Sequence, residues 1–339
     1  MKLIDTENAV GHVLCHDLTQ IVPGVTKEAV FRKGHIIKEE DIPVLLSMGK
    51  EHLYVWEKKE GMLHENEAAE ILYELCKSEN VRPSEIKEGK IEVIADTDGL
   101  LKIDKERLYQ VNALGDMMIA TIHGNIPVKK GTKIAGTRVI PLIIEEEKMN
   151  QAKKLVGEKP LIEILPFVKK KAVIITTGSE VFKGRIQDKF GPVVKGKLEE
   201  FGVTVLYQKI VDDCQEDITK AIEQAIVDGA EMVFCTGGMS VDPDDRTPGA
   251  IKATGADIVS YGAPVLPGAM FLISYYNGEI PVCGLPGCVM YERKTIFDLV
   301  LPRLIAGEKL TFAEIAQYGY GGLCTNCPVC TYPNCGFGK

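Results

Sequence analysis

Four short glycine-rich signatures follow one another along a single stretch of this chain. They are Thr177-Gly178-Ser179-Glu180, Thr236-Gly237-Gly238-Met239-Ser240, Pro267-Gly268 and Gly284-Leu285-Pro286-Gly287. The first, second and fourth each end an apolar, β-branched run, so each marks a place where a strand gives way to a loop. Glycine-rich loops gathered at the strand ends of one α/β sheet make a crevice whose backbone N–H groups can hold a phosphate-bearing ligand.

The rest of the stretch supports such a sheet. Strands are expected over 172–176, 203–211, 232–235 and 258–261, with helices over 193–201, 216–227 and 245–254 between them. Gly202 and Gly229 stand where a helix stop is expected. The run 271–276, Asn277-Gly278 and 280–283 reads as a hairpin. A closing helix is expected over 289–305, kinked at Pro302. Strands alternating with helices predict a three-layer α/β/α fold around a mostly parallel sheet.

The chain has 339 residues, long for one core, and its order suggests five parts. These are a mixed α/β segment (1–60), a middle α+β domain (61–150), a charged, lysine-rich linker (151–170), the α/β domain (171–308) and a cysteine-rich tail (309–339). In the first part a helix is expected over 39–48 and a strand over His52 to Trp56; in the second, a helix over 64–80 and strands over 91–95 and 134–144, while 108–121 could be either. The net charge of −8 argues against nucleic acid or an anionic membrane as partner. No apolar run is long enough to span a bilayer and the N-terminus has no signal-peptide core, so the chain reads as cytosolic. The six histidines lie within the first 123 residues without ligand spacing and read as surface or packing residues.

The stretch from Ala172 to Gly307 resembles the molybdopterin-binding domain shared by molybdopterin molybdotransferases (the MoeA and gephyrin family) and molybdopterin adenylyltransferases. Thr177-Gly178-Ser179-Glu180 is similar to that family's T-G-[DS]-E, and Gly184 to Asp188 to its G-x-I-x-D. Gly237-Gly238-Met239-Ser240-Val241 is similar to its G-G-[VT]-S, Asp245 with Thr247 to its D-x-T, and Gly284 to Gly287 to its G-L-P-G. The resemblance implies molybdopterin or its adenylated form as ligand and molybdate or tungstate as co-substrate. It also implies a homo-oligomeric protein. Thr177, Gly178, Ser179, Gly237, Gly238, Ser240, Pro286 and Gly287 would bind the pterin phosphate through N–H and hydroxyl groups, with Thr236 adding a hydroxyl. Glu180, Asp188 and Asp245 would serve catalysis, bonding the pterin or holding magnesium. Asp242 and Asp244 extend this acidic run, and Asp212-Asp213 is similar to a D-D pair of the family or else makes a plain Asx turn.

The sequence departs from the family at two points. Leu266 and Ala269 stand where a K-P-G-K-P motif carries lysines, and Cys288-Val289 replaces N-P after G-L-P-G. Two readings follow. One is an enzyme that assists molybdate or tungstate insertion; the other is a non-catalytic molybdopterin carrier or sensor. Cys288, expected at a helix start, is either a reactive thiol or a small buried filler.

Four of the ten cysteines crowd into the tail as Cys324-x2-Cys327-x2-Cys330-x4-Cys335. Four thiolates at this spacing can close around one tetrahedral zinc or ligate an iron–sulfur cluster. Such a tail could also dock a partner. The alternative is a flexible terminus of reduced cysteines.

Overall fold

A computed structural model describes residues 2–22, 26–55, 60–240, 242 and 245–339. Trp56, Val241 and Asp244 lie outside the described residues. The chain divides into two compact units: Met1–Ala95 with Asp104–Ile122 and Gly131–Glu163, and Asp96–Ile103 with His123–Lys130 and Ile164–Lys339.

In the first unit, strand Lys2–Asp5 pairs antiparallel with His52–Val55, and Leu18–Val22 with Thr26–Phe31. A four-stranded sheet takes the order Val81–Pro83, Lys90–Ala95, Lys133–Val139, Met117–Thr121. The ambiguous stretch 108–121 is both element types. Helix Lys105–Ala113 ends, Gly115 and Asp116 turn in the left-handed region, and strand Met117–Thr121 follows.

The stretch expected as a linker is structured. It carries the end of helix Glu146–Val156 and the strand Ile162–Pro166. The helix buries Met149, Ala152 and Val156, a helical spacing hidden among lysines and glutamates that face solvent. The middle region also contributes to the second unit: strands Gly99–Ile103 and Ile126–Val128 pair antiparallel there.

The second unit is built on one six-stranded sheet. Its strands are β1 (Lys171–Thr177), β2 (Thr204–Val211), β3 (Met232–Thr236), β4 (Asp257–Tyr261), β5 (Leu272–Tyr276) and β6 (Ile280–Leu285). Their spatial order is β2-β1-β3-β6-β5-β4. Pairs β1–β2, β1–β3 and β3–β6 are parallel; β5 runs antiparallel to both β6 and β4. The expected three-layer class therefore holds. Alternate side chains of β1 go to opposite faces, as the pleat requires. Ala172 and Ile174 join one core cluster with Val194, Leu198, Phe297 and Leu301, from helices α1 (Phe190–Glu199) and α4 (Ile296–Ile305). Val173 and Ile175 join another with Ile218, Ile222, Ala250 and Ile251, from α2 (Gln215–Val227) and α3 (Thr247–Ala253).

The closing helix differs from expectation. Residues Gly287–Met290 form a 3-10 turn, and α4 starts only at Ile296. The missed signal is Thr295-Ile296-Phe297-Asp298, a capping box in which Thr295 and Asp298 satisfy each other's backbone N–H groups. Pro302, expected to kink this helix, stands inside α4, all ten of whose residues are buried. Among the described residues, no helix is long and apolar enough to cross a membrane.

Phe297 of α4 meets Phe234 of β3 edge to face at 5.2 Å, both rings fully buried. Phe297→Ala is expected to cost about 3–5 kcal/mol, read as a lower denaturant midpoint for the second unit. A midpoint within error of the parent protein would contradict this assignment of the core.

Candidate functional site

The carboxyl ends of β1, β3, β6 and, by its pairing through β5, β4 lie along one edge of the sheet. The chain leaves β1 to form β2 on one side and returns to form β3 on the other. The switch point thus falls between the first two glycine loops, where doubly wound sheets leave a crevice.

The first loop is held by the acids at the end of β2. The backbone N–H of Ser179 donates to Asp213 Oδ2 at 2.7 Å, and the Ser179 hydroxyl donates to Asp212 Oδ1. Asp212 Oδ1 also accepts the Asp213 N–H at 3.0 Å. These bonds hold the Asp212 carboxyl below its ordinary pKa, the Ser179 hydroxyl contributing most. The Asp212-Asp213 pair is therefore a clamp on the loop. Gly178 takes a φ of +139°, and Glu180 is exposed in the one-turn helix Ser179–Phe182.

The second loop lies hard against the first. Gly237 and Gly238 both have positive φ, +87° and +55°. A Cβ on Gly237 would sit 2.3 Å from the Thr177 carbonyl oxygen, and one on Gly238 would sit 2.9 Å from Thr247 Oγ1. Thr247 donates its hydroxyl to the Gly237 carbonyl at 2.8 Å. Beyond the glycines, Met239 is buried so close to β6 that a Cβ on Gly284 would lie 2.3 Å from its sulfur. The Tyr261 hydroxyl donates to the carbonyls of Met239 and Ser240 at 3.0 and 3.2 Å. Ser240 itself is exposed.

Two expected hydroxyl donors are turned inward. Thr236 is fully buried and donates to Thr176 Oγ1 at 3.1 Å. Thr177 is buried beside Thr247, their hydroxyl oxygens 3.4 Å apart. Both hold the loops together, so their side chains do not face a ligand.

The expected acids separate into two kinds. Asp188 caps α1: Oδ1 accepts the Phe190 N–H at 2.8 Å, and Oδ2 accepts the Gly191 N–H at 3.0 Å. Gln208, which the sequence reading passed over, ties Asp188 Oδ2 (2.6 Å) to Thr176 Oγ1 (2.8 Å). Asp245 is half-buried, and its N–H donates to the Asp242 carbonyl at 2.9 Å. The Tyr261 phenol is raised by burial and then by the Asp245 charge, which faces it. Among the described residues no three His, Cys, Asp or Glu side chains are placed to hold a metal ion. A magnesium ion here would thus need phosphate oxygens of a ligand besides one or two carboxylates.

The fourth loop brings Pro286, buried, and Gly287, exposed with open space where a Cβ would project. Cys288 sits in the 3-10 turn and not at an α-helix start, and burial pushes its thiol pKa up. The third signature packs against α4. A Cβ on Gly268 would lie 2.5 Å from Ile296 Cγ2, and the Pro267 carbonyl accepts the Ile296 N–H at 3.2 Å. Leu266, in the expected lysine position, is exposed at 57%.

The tail is docked and not a loose terminus. Leu266 N–H donates to the Gly322 carbonyl and Cys324 N–H to the Leu266 carbonyl, each at 2.8 Å. Phe337 is buried in the core beside α4, and the Tyr332 hydroxyl donates to the Asp298 carbonyl at 3.1 Å. Cys324, Cys327, Cys330 and Cys335 all line one cavity of about 310 Å³, yet they do not converge on one point as a tetrahedral zinc requires.

Residues 173–306 match the family described as a probable molybdopterin binding domain, and residues 3–57 match a domain of unknown function. A molybdopterin molybdenumtransferase of Staphylococcus epidermidis is 23% identical over 299 residues, which are 84% of this chain and 66% of that protein. A CinA-like protein of Mycobacterium leprae is 32% identical over 80 residues, 24% of this chain and 19% of that protein. The chain thus spans less than two thirds of the length of these relatives. The molybdopterin biosynthesis enzyme MoaB of Thermus thermophilus covers 41% of this chain and 98% of its own, at 21% identity and a TM-score of 0.34. The stretch that carries the four loops thus matches the molybdopterin-binding domain family, and the chain is similar to a protein of molybdenum cofactor biosynthesis.

Proposed function

We propose that the second unit binds molybdopterin, or its adenylated form, at the carboxyl edge of β1, β3 and β6, and acts in molybdenum cofactor biosynthesis. The observation that carries this reading is the seating of Gly237-Gly238 on Thr177, beside a Gly287 backbone open to approach. Two successive glycines with positive φ carry no side chain that would keep an anion from the backbone N–H groups. Gly178, Gly237, Gly238 and Gly287 would present backbone donors to the terminal phosphate, and Ser240 a hydroxyl, whereas the N–H and hydroxyl of Ser179 are already given to Asp213 and Asp212. Asp245 and Glu180 would accept from the pterin. Magnesium, if bound, would join Asp245 through the ligand's own phosphate oxygens and neutralise charge there. The pre-set loop donors would stabilise charge that develops on the phosphate during exchange of AMP for molybdate or tungstate. Such a protein would work in the cytosol, as a homo-oligomer.

A non-catalytic carrier is the second reading, favoured by one observation: the Pro267-Gly268 loop offers Leu266 and Ala269 and no cation to a metal oxyanion. Release of AMP from adenylated molybdopterin on adding molybdate separates the two. Turnover supports the enzyme; stoichiometric retention supports the carrier.

Gly237→Ala is expected to destabilise the unit by about 1–3 kcal/mol through strain at its left-handed backbone, with the clash at Thr177 adding to this. Thermal unfolding measures it. Gly287→Ala meets open space, so it should leave unfolding unchanged and weaken pterin binding; unchanged affinity would remove Gly287 from the site. Asp245→Ala should weaken binding about tenfold or more, on the order of 1.4 kcal/mol, in a fluorescence titration with molybdopterin. Intact binding and turnover would sink the assignment.

The Asp212 clamp also sets a pH dependence. Because the folded state holds its carboxyl low, the stabilisation is complete above the ordinary carboxylate pKa and fades as pH falls through the lower folded value. Pterin affinity should therefore be flat between about pH 6 and 8 and decline below about pH 4. A steep loss between about pH 7 and 6 would point to another group.

A further inference from the structure

The pterin crevice leaves the cysteine tail unexplained. Its four thiols border one cavity of about 310 Å³, together with Arg293, Lys294 and Thr331. A terminus with no ligand to hold has no need of such anchorage. A Cβ on Gly338 would lie 2.4 Å from Leu299 Cδ2, and one on Gly321 would lie 2.3 Å from the Lys339 carbonyl. The Arg293 guanidinium donates to the Pro328 carbonyl at 2.8 Å, fixing the turn between Cys327 and Cys330 from outside. Cys324 and Cys335 pack against the core while Cys327 and Cys330 are exposed, so two donors are anchored deep and two close from the rim.

A single zinc needs all four sulfurs within about 2.3 Å of one point, and no such cluster exists among the described residues. A polynuclear cluster accepts thiolates spread around the walls of a larger space. The C-x2-C-x2-C run is a spacing used for four-iron clusters, and here the fourth cysteine lines the same cavity. Four thiolates on iron carry net negative charge, and the cations Arg293 and Lys294 line the same cavity.

We propose that this cavity holds a four-iron, four-sulfide cluster ligated by Cys324, Cys327, Cys330 and Cys335. Assembly replaces four S–H bonds by four Fe–S bonds and releases four protons to solvent; it draws sulfide and equal parts of ferrous and ferric iron from solution, so the oxidised cluster forms with no net electron transfer. It stands independently of the pterin reading.

The test is anaerobic reconstitution of the full chain, its thiols first reduced, with inorganic sulfide and equal parts of ferrous and ferric iron, followed by desalting. The expected product is brown and holds about four iron and about four sulfide per chain, with visible absorption that bleaches on dithionite reduction. Cys327→Ser and Cys330→Ser alter exposed side chains, so their apo forms should unfold at the parent temperature and yet lose the absorption. The proposal is overturned if the parent retains no iron, or if a variant lacking all four thiols retains as much. It is equally overturned if one equivalent of zinc binds and shuts out iron, which would restore the tetrahedral site.

Discussion

The whole crevice depends on one close approach, that of the Gly237 backbone to the Thr177 carbonyl. β1 and β3 are parallel neighbours up to the pair Thr176–Thr236, and the contact carries their association past the last ladder position into the loops. Only glycine fits, because any Cβ would overlap the oxygen and because the φ of +87° lies where other residues are strained. Thr247 then ties the start of α3 to the same place through the Gly237 carbonyl. Met239 ties the loop to β6 by filling the space that Gly284 leaves. Loops from three strands become one rigid edge, and rigidity lets backbone N–H groups act as donors without reorganisation.

The acids around this edge divide by role. Asp212, Asp213 and Asp188 are occupied with backbone or hydroxyl donors of the loops and of α1. They build the frame. Asp245 and Glu180 stand outside that frame, half-buried and exposed respectively. A carboxylate that already accepts backbone amides keeps some acceptor capacity, but its position is set by the fold and not by a ligand. Under the proposed reading, chemistry at this edge would fall to Asp245 before Asp188, although motif matching gives the two equal standing.

Much of the α/β domain was legible because its signals are local. Buried strands such as 172–176 are continuous apolar runs, and Gly202 and Gly229 end their helices where glycine is expected. What escaped was either local grammar outweighed by a longer pattern or pairing over long distances. The capping box at Thr295 and Asp298 lay inside an apolar run, so the start of α4 was set too early. Helix Glu146–Val156 hid a narrow buried stripe among charges. Strands Gly99–Ile103 and Ile126–Val128 join the second unit by contacts that no window of sequence contains. At the site, the glycines and Asp245 could be found by motif, whereas Gln208 and Tyr261 could not. Their roles are hydrogen bonds to groups far along the chain, and neither residue type announces them.

The loop that carries Leu266 and Ala269 is constrained from two sides. On one side Gly268 lies against Ile296 with no room for a side chain. On the other, both backbone hydrogen-bonding groups of Leu266 are taken up by the tail at Gly322 and Cys324. A segment pinned from both sides is a wall and not a flap that closes on a ligand. The nearby cations Arg293 and Lys294 face the thiol-lined cavity. Under the proposed reading, the amides of the glycine loops and any ion the ligand brings would meet negative charge on a ligand in the crevice, beside Lys183, which pairs with Asp212 at 3.8 Å. The loop that carries Leu266 and Ala269 thus anchors the cysteine tail through both backbone groups of Leu266.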